Sequence, residues 1–298
     1  MPERDMQHAR LGWIGVGKMG APLSARLLEA GFDLSVVDAD PARVAALIAR
    51  GAKSCPDAAT LVRSTDVVFS MVPNDDALLA IVSGEAGLAR AIGPGQIFVD
   101  LSTVSPVRSA QVAELLAPTG AQYVRSPVSG STANAAAGTL ALYCSGPEAA
   151  FAAVRPALER LGNRLTYCGQ GEEARVLKLV INTIVCMTPA IVGEALSLGA
   201  RNGLDWSQMI DAIGQSVGAS PVIAYKAETM KRRDWTPMAT IDLVAKDLDL
   251  ALELGRLSGA PMPLTGMVHR FNTAFQANGD GELDFFSVST WPERIAHD

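Results

Sequence analysis

The chain is short of the residues that build metal centres. Its 298 residues include three histidines, His8, His269 and His297, two of them near the ends. The four cysteines, Cys55, Cys144, Cys168 and Cys186, are scattered and form no CxxC pair. A zinc cluster or a disulfide framework is therefore not expected, and reduced thiols in a cytoplasmic protein are. Basic residues are outnumbered, with 25 Lys and Arg against 31 Asp and Glu and a net charge of −6. No basic run stands out, which excludes the electrostatic footprint of a nucleic-acid-binding protein. No uninterrupted apolar run reaches the roughly 18 residues that a membrane helix needs. The opening MPERDMQHAR mixes charges of both signs without an apolar core, so no signal peptide is expected. Internal repeats and low-complexity segments are lacking too.

What is present is alternation. LGWIGV, LSVVD, VVFSMV, IFVD and AQYV read as buried strands, and PLSARLLEAG, PARVAALIARG, DDALLAIVSG and SPVRSAQVAELLAPTG between them as helices. Strand–helix alternation implies a parallel sheet covered on both faces. TLALYCSG and RLTYCG bracket the helix PEAAFAAVRPALERLG and would extend that sheet. After Gly169 the strand signal stops. One long helical pattern runs from Glu172 and Glu173 to a C-cap at Asn202-Gly203, with Pro189 expected to kink or divide it. The expected architecture is a Rossmann-type α/β domain over residues 1–167, followed by an all-α domain over 168–298, with the long helix joining them.

Three places carry chemistry. Gly15-Val16-Gly17-Lys18-Met19-Gly20 follows the first strand and opens the first helix, where glycines permit a tight turn and close backbone approach to a pyrophosphate. LSVVD ends in Asp38, at the offset expected of an acid that holds a ribose hydroxyl, although an Asp there can also cap the next helix. With Asp40 close by and Arg43 the nearest arginine, the charges favour NAD over NADP. The strand-end loops Met71-Val72-Pro73-Asn74 and Asp100-Leu101-Ser102-Thr103 offer a rigid backbone and hydroxyls to a ligand. Finally, SPVSGS forms a polar glycine-containing loop, and Lys178 and Asn182 stand four apart, on one helix face. Taken together these features suggest a nicotinamide-dependent alcohol dehydrogenase in which a lysine, not a metal, moves the proton.

These motifs resemble, in order and over nearly the whole chain, those of the β-hydroxyacid dehydrogenase family, the group of 3-hydroxyisobutyrate dehydrogenase and tartronate semialdehyde reductase. GVGKMGAPLSARLLEAG is similar to the cofactor motif, SPVSGSTANAAAGTL to the substrate motif, GEEARVLKLVIN to the catalytic segment and AKDLDLA to the C-terminal cofactor-side motif. The resemblance implies that Lys178 is the proton donor or acceptor and Asn182 its substrate-orienting partner. It implies that Ser129, Gly130, Ser131 and Thr103 face substrate. Val72, Pro73, Thr103 and Lys246, with Asp247 beside it, would lie on the cofactor side. It further implies a homodimer or homotetramer formed through the helical part and a small anionic hydroxy acid, or its semialdehyde, as substrate. The chain departs from the pattern at Arg125, Ser131, Ile181 and Ala239, which bears on the substrate. An imine reductase and a non-catalytic dinucleotide-binding protein share the architecture; Lys178 argues against the first, and Lys178 with Asn182 against the second. A lysine is ordinarily protonated near neutrality, so a role as base requires burial to lower its pKa.

Overall fold

In the computed structural model, which describes residues 6–295, the apolar runs of the first half line up edge to edge. His297 lies outside the described residues. The chain enters through β1 (Arg10–Ile14), α1 (Gly20–Glu29) and β2 (Asp33–Val37). It continues through α2 (Ala45–Ile48), β3 (Lys53–Ser54), α3 (Ala58–Arg63), β4 (Val67–Ser70) and α4 (Asp75–Ser83). Next come β5 (Ile97–Asp100), α5 (Pro106–Leu116), β6 (Gln122–Arg125), β7 (Val128–Ser129) and α6 (Thr132–Ala137). β8 (Leu140–Ser145), α7 (Glu148–Leu161) and β9 (Gly162–Gly169) complete this half.

The nine strands run in the order β3-β2-β1-β4-β5-β6-β8-β7, with β9 paired to β8. From β3 to β6 all pairings are parallel, as the alternation implied. The sheet then departs from the all-parallel expectation. β8 meets β6 and β7 antiparallel, and only β8–β9 is parallel again. The period-two rule sorts the side chains into two cores. Leu11, Trp13, Val67, Phe69 and Val99 join one buried cluster with Leu23 and Leu27 of α1 and Val154 and Leu158 of α7. Ile14, Val68 and Phe98 join the other, with Leu61, Leu78 and Val112 of α3, α4 and α5.

The second half is helical: α8 (Glu173–Arg201), α9 (Trp206–Gly214), α10 (Pro221–Arg232), α11 (Ile241–Ser258), α12 (Pro263–Ala277) and the short α13 (Trp291–Ile295). Among the described residues its only strand-like pairing is the bridge Thr240–Asp284. Asp205, Ser220 and Thr240 cap α9, α10 and α11 through their side chains. Pro189 does not divide α8, which runs 29 residues. The proline withdraws one N–H, but Cys186, Ala190, Val192 and Leu196 are buried along that stretch and hold the helix through it. α8 is long and apolar enough to cross a membrane by length and composition alone. Here those apolar residues, together with Ile210, Ile223, Val244, Leu248 and Phe286, form the helical core. Beside it Lys226 Nζ and Asp284 Oδ2, both sealed from solvent, pair at 2.5 Å. The chain divides into two compact units between Lys178 and Leu179, further along than the boundary expected near residue 167. The first turn of α8 belongs to the sheet unit because Arg175 is bonded to Asp100 of β5.

Candidate active site

The glycine turn has the geometry that a dinucleotide phosphate requires. Gly15 adopts φ +93°, and a Cβ there would lie 2.2 Å from the Met71 carbonyl oxygen. Gly20 packs so closely that its Cβ would lie 1.9 Å from the Gly15 oxygen, which the Trp13 indole N–H already bonds at 2.9 Å. At Gly17, by contrast, nothing lies within 4 Å, so backbone at that position opens onto space. Met19, at the N-cap of α1, supplies no side-chain cap, and Lys18 is exposed. In the first turn of α1, Pro22 has no N–H, and Ala21 N and Leu23 N donate to the Gly17 and Met19 carbonyls, so donors for an anion would come from the Gly17–Gly20 turn at its start. Asp38 does not cap the next helical turn; Asp40 does, accepting from Ala42 N at 3.0 Å. Asp38 instead accepts from Val16 N at 2.6 Å and Asp40 N at 2.9 Å, tying the end of β2 to the glycine turn. Arg43 comes within 3.7 Å of Asp38 and 3.5 Å of Asp40, so an arginine partly offsets both acids.

The two strand-end loops are joined to each other. Val72 N donates to Ser102 Oγ at 2.9 Å, and Ser102 Oγ donates to Asp100 Oδ1 at 2.6 Å. Asp75, just past Pro73, accepts from Ser105 N at 2.8 Å and Ser105 Oγ at 2.6 Å. Thr103 lies between these two latches. Asp100 is fully buried, and its charge is met by the equally buried Arg175. Burial works against the Arg175 charge, while Tyr123 and Asp100 more than offset it and hold the guanidinium protonated. Burial pushes the Tyr123 phenol up, so it stays neutral, and its oxygen accepts from Arg175 Nη2 at 3.0 Å. Sequence reasoning overlooked Arg175 and the partners of Asp100. The visible signals were a strand-end acid inside an apolar run and an arginine in an apolar helical stretch, each a residue rarely buried without a partner.

The SPVSGS segment lies on β7 and the turn into α6. Gly130 takes φ +137°, with Leu140 and Asn134 against the position of a Cβ, and Ser129 pairs with Ala141 of β8. The Ser131 hydroxyl donates to Asn134 Oδ1 at 2.8 Å and accepts from Asn134 N at 3.4 Å, so its hydrogen bonds are those of a capping box. Arg26 of α1 ties this element down, donating to the Ala136 carbonyl at 3.0 Å and the Arg160 carbonyl at 2.6 Å. Arg125 is buried against Glu172, with its guanidinium 4.3 Å from the Tyr123 ring centre. The charge of Arg125, one of the departures from the family pattern, is thus met by an acid at the entry to α8. The four cysteines are free thiols. Burial pushes Cys144 up to about 11, far from nucleophile range.

Lys178 closes the sheet unit and is 8% exposed. In the helical unit, Asn182 Nδ2 donates to Asp247 Oδ2 at 2.6 Å, and Lys246 Nζ lies 3.0 Å from Asp247 Oδ1. Asn182 and the Lys246-Asp247 pair, 65 positions apart for the hydrogen-bonded two, are therefore one constellation. Because a carboxylate only accepts, Asp247 fixes the amide with its nitrogen inward and leaves the carbonyl oxygen as an acceptor.

Two family models cover the chain. Residues 10–169 match the NAD binding domain of 6-phosphogluconate dehydrogenase, and residues 169–291 match the NAD-binding region of NADP-dependent 3-hydroxyisobutyrate dehydrogenase. The chain is 34% identical to 2-(hydroxymethyl)glutarate dehydrogenase of Eubacterium barkeri, over 94% of this chain and 93% of that one. It is 31% identical to 2-hydroxy-3-oxopropionate reductase of Escherichia coli, over 97% and 98%. Among solved structures, Mycobacterium tuberculosis 3-hydroxyisobutyrate dehydrogenase with L-serine superposes with a TM-score of 0.87 at 27% identity, covering 95% of this chain and 98% of that one. The chain belongs to the β-hydroxyacid dehydrogenase family of NAD(P)-dependent oxidoreductases.

Proposed function

We propose that the protein interconverts a small β-hydroxy acid and its semialdehyde, with Lys178 carrying the proton. The bound nicotinamide supplies the hydride chemistry, accepting or donating at its C4. Gly15, Gly17 and Gly20, in the turn that opens α1, would hold the pyrophosphate; Asp38 would hold the ribose, with NAD favoured. Val72, Pro73, Thr103 and Lys246 would border the nicotinamide, with Ser129 and Gly130 holding the substrate's anionic group. The observation that carries this reading is the Asn182–Asp247 hydrogen bond at 2.6 Å, which orients an amide carbonyl on the turn after a buried lysine. An amide so fixed would help hold the substrate, while the lysine takes the hydroxyl proton in oxidation or returns it in reduction. Relatives act on hydroxymethylglutarate and on hydroxyoxopropionate, both acids with a nearby hydroxyl, in keeping with this class. We extend the reading to a cytoplasmic homodimer or homotetramer, supported by four free thiols and by exposed Val180, Ile184, Ile191 and Leu198 along α8.

The test is an NAD and NADP activity panel over small 3- and 4-hydroxy acids, with Lys178→Ala as control. Turnover in the variant is expected to fall by roughly 10²–10⁴-fold, with NADH binding retained and the lysine-dependent limb of the pH–rate profile lost. Near-normal turnover in Lys178→Ala would overturn the mechanism.

A further inference from the structure

Arg175 is fully buried, sits one helical turn before Lys178, and has no part in the proton transfer above. Its guanidinium spreads its donors over four residues. Nη2 bonds Asp100 Oδ2 and, at 3.0 Å, the Tyr123 hydroxyl. Nη1 donates to the Ser102 carbonyl at 2.5 Å and Nε to Ser109 Oγ at 3.2 Å. The other oxygen of Asp100 accepts the Ser70 and Ser102 hydroxyls, each at 2.6 Å, and Ser102 in turn receives Val72 N. The loops after β4 and β5 thus close on one carboxylate, and that carboxylate closes on the first turn of α8.

As a device for stability alone this cluster is inefficient. Desolvating an ion pair costs about as much as the pairing returns, and apolar side chains of the same volume would hold the elements at least as well. What directional donors provide, and apolar packing does not, is angle and register. We propose that Arg175 is a positioning residue: through Asp100 and Ser102 it sets the Val72 and Thr103 loops in register with the turn of α8 that carries Lys178. The inference rests on the assignment of those loops to the nicotinamide side. A displacement on the order of 1 Å between reacting groups can cost about 10²-fold in rate, so a residue that touches neither ligand can control turnover.

Two variants test it at different depths. Arg175→Lys keeps the charge beside Asp100 but offers all its donors from one atom, and cannot reach Ser102, Ser109 and Tyr123 together. Ser102→Ala removes one hydroxyl and leaves the ion pair intact, so it keeps the test open if the arginine variant does not fold. Each is measured well below its own melting temperature, by steady-state kinetics and by NADH titration of the free protein. The expected result is a kcat reduced on the order of 10- to 100-fold for Arg175→Lys. NADH affinity should fall several-fold in both variants, with substrate KM changed far less than kcat. A purely structural role would lower the melting temperature and leave kcat and NADH affinity of the folded enzyme within twofold of the parent. That outcome, in whichever variants fold, would overturn the proposal. Because NADH titration needs no substrate, a parent protein inactive on every hydroxy acid would sink the substrate reading while the titration still decides the role of Arg175.

Discussion

Gly17 and Gly20 stand three residues apart in one turn, yet a methyl group would mean different things at each. At Gly20 it would lie 1.9 Å from a backbone oxygen that cannot move without opening the turn. At Gly17 it would meet no protein atom within 4 Å, and no left-handed φ makes an L-residue strained there. Gly20→Ala should therefore destabilise the fold by about 1–3 kcal/mol, the usual cost of overpacking, and lower the melting temperature by several degrees. Gly17→Ala should melt like the parent and yet bind NADH on the order of tenfold more weakly, a loss of about 1.4 kcal/mol. Thermal melts and NADH titration of the two single variants separate these effects. Equal melting losses, or unchanged NADH affinity in Gly17→Ala, would refute the assignment of Gly17 to phosphate approach.

At the scale of elements, α1 does more than follow the glycine turn. Arg26, two turns along it, holds the carbonyls at the C-terminal ends of α6 and α7. Cations at helix C-termini are favoured by the dipole, and hydrogen bonds to a charged group contribute about 1.5–3 kcal/mol, less where solvent reaches them. Since Ser129 and Gly130 lie just before the N-cap of α6, Arg26→Ala should loosen the loop proposed to hold substrate before it loosens the glycine turn. The expected signature is a several-fold rise in substrate KM with NAD KM nearly unchanged; the reverse pattern would contradict it. The elements legible in the sequence were those with local signals: α4 and α5, each opened by a side-chain cap, the long α8, and the strands buried on both faces. α3, α6, β3 and β7 were missed. Each is at most six residues long, and the two-residue β7 exists only because β8 offers it a partner. The reversal of β8 was hidden for the same reason: strand direction is a property of the pairing, not of the run LALYCS. Within the candidate site, spacing and motif singled out Lys178, Asn182 and the glycines. The Arg175–Asp100 pair joins residues 75 positions apart, and no local pattern announces that.

At the scale of the whole molecule, the boundary between the compact units falls inside α8, between Lys178 and Leu179. The same helix carries the clearest unfinished surface. Ile184, Ile191 and Leu198 are 66%, 65% and 69% exposed, and they recur every seven residues on one side of α8 with Val180 in line. A sustained seven-residue apolar repeat is the seam of helix–helix packing, and monomeric proteins rarely leave contiguous apolar patches beyond a few hundred Å² uncovered. Such a stripe in a family oxidoreductase fits association with a second copy through the helical unit. At about 25 cal/mol per Å² of buried apolar surface, removing these side chains from water is a large share of what a stable dimer needs. Glutamates placed there should abolish association, because burying an unpaired carboxylate costs several kcal/mol. Ile184→Glu combined with Leu198→Glu should therefore convert a dimer or tetramer at micromolar concentration into a monomer, as read by sedimentation velocity, while circular dichroism shows the helices intact. A parent protein that sediments as a monomer, or a double variant that still assembles, would show that the stripe is not the self-association surface.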